Sequence, residues 1–262
     1  MRGNGVQDTS RQAYEVINAG GRGPAVIVCE HASAHIPERY AGLGLDDGAR
    51  QSHAAWDPGA EALARLLSEA LDAPLIAGRV SRLVYDCNRP PDAPSAMPAQ
   101  SETVMIPGNA DLDEAGRETR IREVYEPFSE ALTSLIAARR ESGDEIALVT
   151  VHSFTPTWFG VPRAVEIGIV HDEDRRLSDA MLIEAHRFPH RRIARNLPYG
   201  PAEGVTHTLQ RHGVAEGLFN VMIEVRNDLL TTPDDIEAIA EELMGLLGPA
   251  LSHVGLWEGS DA

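Results

Sequence analysis

Three short apolar runs constrain this chain more than any other feature: Ala25–Cys29, Ile146–Val151 and Phe219–Arg226. Each has the length of a buried strand and stops abruptly in polar or turn-forming residues. Between them lie segments with helical periodicity, clearest at Ala60, Leu63, Ala64, Leu67 and Leu71. Strands of this kind alternating with helices imply an α/β fold, with a mixed, mainly parallel sheet covered on both faces. Further strands are expected at 74–77 and 164–170, a half-alternating run at 81–86, an extra turn or edge strand within 12–17, and a segment at 193–200 that ends turn-like at Pro198-Tyr199-Gly200. Helices are expected at 47–53, at 113–141 with a break near Pro127, at 174–187 and at 233–247. Residues 90–112 carry prolines at 90, 91, 94, 98 and 107 and read as one long loop. Unstructured loops of that length are usually functional or disordered. No repeat or linker divides the 262 residues, so one domain, 1–262, is expected.

Charge narrows the partners. Acidic residues number 40 against 23 basic ones, for a formal charge of -17, and there is no lysine. Such a chain lacks the positive footprint that a nucleic-acid backbone requires. An acidic substrate would have to be met by a local group of arginines. Cys29 and Cys87 both stand in apolar contexts, which argues against a disulfide framework. The first residues contain no apolar leader core, and no apolar run is long enough to span a bilayer. A soluble cytoplasmic protein with no membrane partner is expected; oligomeric state is left open. No GxGxxG or P-loop occurs, so nucleotide cofactors have no support.

In an open α/β sheet, ligands bind beyond the carboxyl ends of the strands. His31 follows the first apolar run, Asn88-Arg89 follow the Tyr85 segment, His152 follows Val151, and Glu224 lies within the last run. His31 and His152 are candidate ligands of a zinc ion, which suits imidazole plus one carboxylate with an open position. Asp57 is the favoured third ligand, although Asp57-Pro58 also reads as the N-cap and first turn of a helix. Glu30 is the alternative, but neighbouring residues leaving a strand point apart. Glu224, alternating with Met222 and Arg226, is costly in an apolar strand unless it is ion-paired or functional. Its functional role would be general base and acid. Arg82 and Arg89 can meet a polarised acyl oxygen or a substrate carboxylate, or serve as ordinary ion pairs. Asn88 suits substrate orientation, and Arg163 and Arg226 are weaker candidates. His207 and His212 either line the substrate site or are ordinary surface histidines. His35, four residues after His31, would need a helix to converge with it, and Pro37 opposes one. Ser33 and Ser153 lack the surroundings of a catalytic serine.

Five ordered blocks, Val26–Pro37, Ala55–Ala60, Ser81–Pro90, Val151–Pro156 and Met222–Leu229, together resemble the N-formylglutamate amidohydrolase family. The likeness extends over about residues 24–247. That family is similar to the zinc carboxypeptidase and aspartoacylase superfamily, which implies a three-layer α/β/α fold. The resemblance implies that His31, Asp57 and His152 hold the metal and that Glu224 is the general base. It further implies that Asn88 and Arg89, within a stretch similar to the Asp-Leu-Asn-Arg of aspartoacylases, bind a substrate carboxylate. Two departures stand out. Position 35 is His where Asn is usual, and the first block lacks the Pro-His-Ser-Gly of the histidine-degradation enzyme. The expected activity is zinc-dependent hydrolysis of the amide bond of small N-acyl, N-formylglutamate-like amino acids. Arg82 would then stabilise the oxyanion, with Arg163 and His207 near the substrate. The rivals are hydrolysis of another small acyl amide or peptide and a non-catalytic metal-binding domain.

Overall fold

The central strands are apolar on both faces because both faces are covered. The structure, a computed structural model, describes residues 13–258. Its main sheet contains β1 (Tyr14–Ile17), β2 (Ala25–Cys29), β3 (Leu75–Gly78), β4 (Ala147–Phe154), β5 (Ile167–Val170), β6 (Ile193–Arg195) and β7 (Phe219–Arg226). Their order is β1-β3-β2-β4-β7-β5-β6. Strands β3, β2, β4 and β7 run parallel. β1 is an antiparallel edge on β3, and β5 runs antiparallel to β7 with β6 parallel beside it. The mixed, mainly parallel α/β sheet is therefore as expected. Gln12, part of the expected first segment, lies outside the described residues.

One face of the sheet packs Ile27, Val149, Val151, Val221 and Ile223 against α1 (Ala60–Ala70), α3 (Arg176–Glu184) and α4 (Pro233–His253). The other packs Val26, Val28, Leu148 and Met222 against α2 (Glu126–Glu141) and the loops around Leu83, Tyr85 and Ile106. This gives three layers. The apolar stripe of α1 is buried at Leu63, Ala64 and Leu67, and each leucine so buried contributes about 1.5–3 kcal/mol. Among the described residues, no helix is long and apolar enough to cross a membrane.

Several local expectations are corrected. Residues 81–86 form no strand: the Arg82 amide bonds to Ala55, Val84 to Ser81, and Asp86 to Ala96. Leu83, Val84 and Tyr85 are buried consecutively, so this segment is a loop pressed onto the core and not a ladder. The loop at 90–112 contains short elements, including a two-stranded ribbon that pairs Gln100–Ser101 with Val104–Met105. The break near Pro127 is a π-helical turn at Ile121–Tyr125, followed by α2. Such a bulge absorbs the hydrogen bond that a proline cannot make. α4 continues past the expected end at 247 and through Pro249. Pro249 leaves the Gly245 carbonyl without its helical donor, and Arg187 Nη1 donates to that carbonyl at 2.9 Å.

Candidate active site

Asp57 is not a helix cap. α1 begins at Ala60 behind a left-handed Gly59, φ +80°, and the Asp57 side chain turns inward instead, with 1 % of its surface exposed. There it meets two histidines. His31 sits just beyond β2, and His152 sits inside β4, directly beside Glu224 of β7 in the parallel register. His152 Nδ1 is 3.2 Å from His31 Nδ1 and 3.1 Å from Asp57 Oδ2. His31 Nδ1 is 3.3 Å from the same oxygen. Ligands bound at about 2.0–2.1 Å around a tetrahedral ion stand roughly 3.3 Å apart, and the three donors have that spacing.

The outer nitrogens both face carboxylates. His31 Nε2 donates to Asp86 Oδ1 at 2.7 Å, and His152 Nε2 lies 3.2 Å from Glu30 Oε2 in an ion-pair contact. With protons on those outer nitrogens, two Nδ1 lone pairs and a carboxylate oxygen would face one another. Burial would depress the pKa of His31, but Asp86 and then Asp57 raise it. Burial likewise acts on His152, which Glu30 and Asp57 bring well above the ordinary value. The same negative field favours a cation among the three donors. The buried His31–Asp57–His152 group could therefore hold a metal ion, and carboxylates behind ligating histidines are the usual support for such a site.

Arg82 secures the loop that carries Asp57. Its guanidinium donates to the carbonyls of His53, Ala54 and Trp56 and pairs with Asp57 Oδ1 at 2.8 Å. Burial would raise the Asp57 pKa, but Arg82 and then His31 hold it well below the usual carboxylate range. The Ser153 amide adds a donor to Asp57 Oδ2 at 3.3 Å. Arg82 Nη1 also lies 3.3 Å from His31 Nδ1, so part of its fork faces the cluster.

Glu224 has no such restraint. It is 5 % exposed, and its Oε2 has no hydrogen-bond partner. Burial pushes its pKa up to about 7, outweighing the opposing effect of His152. The ion pair with an arginine that would make it merely structural is absent among the described residues. Arg226 turns instead to Asp228 and the Arg163 carbonyl. Space beside Glu224 is kept by Gly168 of β5, where a Cβ would stand 2.0 Å from the Leu197 carbonyl oxygen and 3.2 Å from Glu224 Cβ.

A cavity of about 440 Å³ opens onto this cluster; His31, Asp57, His152, Glu224, Arg82, Asn88 and Arg89 all line it. Asn88 is fixed from both ends, its Oδ1 accepting from the Thr208 amide at 3.0 Å and its Nδ2 donating to the Val205 carbonyl. Arg89 has no carboxylate within ion-pair distance among the described residues. Arg163 and His207 are not on the cavity wall. Arg163 lies behind it, stacked on Phe154, Trp158 and Tyr199 and donating to the Tyr199 hydroxyl at 2.7 Å. His207 pairs with the Tyr125 hydroxyl at 2.8 Å, and His212 contacts Ser129. His35 is exposed, away from the cluster. Cys29 and Cys87 are buried, and burial raises both thiols well above their ordinary pKa, so neither is an activated nucleophile.

Sequence reasoning missed the role of Asp86 and the whole outer wall, which includes His53, Glu102, Trp158, Tyr199 and Glu203. Asp86 carried a usable signal as the acid of Asp-Cys-Asn-Arg; Glu102, inside a proline-rich loop without periodicity, carried none.

The comparisons with known proteins bear on the fold and the family. The structure of gene product Atu2144 from Agrobacterium tumefaciens matches with a TM-score of 0.91 at 53% identity, covering 94% of this chain and 97% of that one. That of N-formylglutamate amidohydrolase from Ralstonia eutropha JMP134 matches with a TM-score of 0.57 at 18% identity, covering 92% and 97%, a likeness of fold. No curated protein matches significantly. The family model of N-formylglutamate amidohydrolase matches residues 23–231, a span that includes both histidines, Asp57, Asn88-Arg89 and Glu224. On that match, the chain belongs to the N-formylglutamate amidohydrolase family.

Proposed function

We propose that this protein is a zinc-dependent hydrolase of the amide bond of small N-acyl, above all N-formyl, amino acids. The observation that carries the reading is an unpartnered, buried Glu224 carboxylate beside the His31–Asp57–His152 donors, on one cavity wall of a member of an amidohydrolase family. His31, Asp57 and His152 would hold the ion. Zinc fits two imidazoles and a carboxylate with an open position, and when bound it supplies Lewis acidity toward an acyl oxygen and a water molecule.

The remaining work falls to the chain. Glu224 takes a proton from the attacking water as it adds to the acyl carbon, then delivers it to the departing nitrogen. An acid with a pKa near 7 is suited to both transfers at neutral pH. Arg82 orients Asp57 and turns the rest of its fork toward the place where charge develops on the acyl oxygen. Asn88 and Arg89 hold the substrate carboxylate, Arg89 being the cavity arginine free of a carboxylate partner. Asp86 and Glu30 keep the imidazoles turned inward.

The test is a screen of N-formyl and N-acetyl amino acids with zinc-supplemented protein, alongside metal analysis under non-chelating conditions. Near-stoichiometric zinc and hydrolysis of N-formyl compounds are expected. Protein without zinc that gains no activity on supplementation would overturn the reading in favour of a non-catalytic domain, and turnover confined to other amides would overturn the substrate class.

A further inference from the structure

The cavity wall beyond Asn88 and Arg89 carries the same sign of charge as a second substrate carboxylate would. Of the two arginines on the wall, Arg82 is committed to Asp57 and to three backbone carbonyls. Only Arg89 is left to meet a substrate carboxylate. Arg163 is off the lining, half-buried against the Trp158 and Tyr199 rings and donating to the Tyr199 hydroxyl. The outer wall instead presents Glu102 and Glu203.

Glu102 occupies the turn of the two-stranded ribbon with φ +49°. Its Oε1 accepts from the Phe159 amide at 3.0 Å, which ties the ribbon to the neighbouring hairpin Thr157–Pro162. Its Oε2 lies 3.5 Å from His53 Nε2. Its side chain is 17 % exposed, and no arginine pairs with it among the described residues. Burial lowers the His53 pKa, with Arg82 adding to the effect, so that imidazole does not supply the missing positive charge at neutral pH. A carboxylate partly withdrawn from solvent and without an arginine partner offers a contact to a cation that reaches it. Trp158 and Tyr199 line the same space but already have Arg163 over their rings, which leaves Glu102 as the group a ligand cation would meet.

We infer that the cavity selects N-acyl amino acids with a single carboxylate and a cationic side chain, an ammonium or guanidinium facing Glu102, and that it discriminates against N-acyl dicarboxylates. This inference rests on the proposed function for the acyl end and on Glu102, Glu203 and the missing second cation for the side chain. Arg89 and Asn88 take the carboxylate, the amide lies at Glu224, and the side chain points outward between Glu102 and the aromatic wall. Glu102 is a specificity residue, remote from the reacting atoms.

The test compares N-formyl-L-arginine, N-formyl-L-glutamine and N-formyl-L-glutamate, the last two differing by one charge at nearly constant shape. Binding is measured by titration calorimetry to the zinc-supplemented full chain carrying Glu224→Gln, and kcat/KM is measured with the native chain. The expected order is arginine, then glutamine, then glutamate, with steps of about tenfold, as one desolvated charge contact gives. Glu102→Gln keeps the acceptor for the Phe159 amide and should shrink the arginine-to-glutamate ratio by about tenfold or more. Glutamate bound as well as or better than glutamine overturns the inference, as does an unchanged ratio in Glu102→Gln or no binding of any of the three. The expected binding order without hydrolysis by the native chain would refute the proposed function and leave the selectivity standing. Hydrolysis with glutamate preferred would do the reverse.

Discussion

Glu224 and its neighbour His152 differ in their surroundings: His152 faces Asp57 through Nδ1 and has Glu30 in ion-pair contact with Nε2, whereas Glu224 has no ion-pair or hydrogen-bond partner among the described residues. Replacing Glu224 by Gln keeps the size and removes the proton acceptor. The expected outcome is a fall in kcat of roughly 10²–10⁴-fold, the usual range for a lost acid–base group, with zinc content unchanged by metal analysis. Turnover that survives the change would remove Glu224 from the mechanism. The pH dependence follows from the same carboxyl. Burial raises its pKa from 4.5 to about 7, and the carboxylate is the working form, so kcat/KM should fall as pH drops through about 7. An acid limb near the ordinary carboxylate value would show that another group titrates. Asp86 makes a separate prediction. It holds the outer nitrogen of His31 at 2.7 Å, so Asp86→Asn should weaken zinc binding by about 10–100-fold, as expected for a carboxylate behind a histidine ligand. Competition with a chelator measures this directly, and unchanged affinity would mean that His31 is oriented by its packing alone.

At the scale of elements, the site depends on how α1 begins. The Asp57 amide donates to the His31 carbonyl at 2.9 Å, and the chain then reverses through Gly59 at φ +80° into the helix. A Cβ at Gly59 would stand 2.4 Å from Leu230 Cβ in addition to occupying the left-handed region. Gly59→Ala should cost about 1–3 kcal/mol in urea unfolding and should loosen zinc binding, since Asp57 enters the cluster just two residues earlier. A stability equal to that of the native chain would show that the turn relaxes freely. This turn also marks the limit of what the sequence disclosed. β2, β4, β7 and the periodic face of α1 were legible because burial on both faces, or on one stripe, leaves a period in the residues. His31, His152 and Glu224 were legible because polar groups interrupt those same runs. Asp57 was ambiguous because Asp-Pro-Gly satisfies the local rules for a cap, and only the φ of Gly59 moves the helix start to Ala60. The 81–86 loop misled because Leu83 and Tyr85 pack on the core as strand residues do, while their backbone partners come from distant loops. Glu102 and the outer wall were hidden for the same reason: loop docking leaves no period.

For the molecule as a whole, the formal charge of -17 sets a field that the site must work against. An anionic acyl amino acid, the proposed substrate, would approach a surface of its own sign, and within the cavity Arg89 alone is uncommitted among the lining arginines. Groups held inside the cavity would be insulated from this field by burial, but an approaching substrate would not. Raising ionic strength from about 0.01 M to about 0.1 M contracts the Debye length from roughly 30 Å to roughly 10 Å. That screens the distant surface carboxylates while leaving contacts inside the cavity nearly intact. For dianionic N-formyl-L-glutamate, kcat/KM should therefore rise by roughly two- to fivefold over that range through KM, with kcat nearly constant. For N-formyl-L-arginine, whose charges cancel, the same salt change should leave kcat/KM almost flat. Initial-rate kinetics on both compounds at matched pH separate the overall field from the local contacts. A fall in kcat/KM for the dianion as salt is added would mean that a positive local potential around Arg89 steers anions inward despite the overall charge. Equal responses of the two compounds would mean that salt acts on the protein itself and not on the encounter.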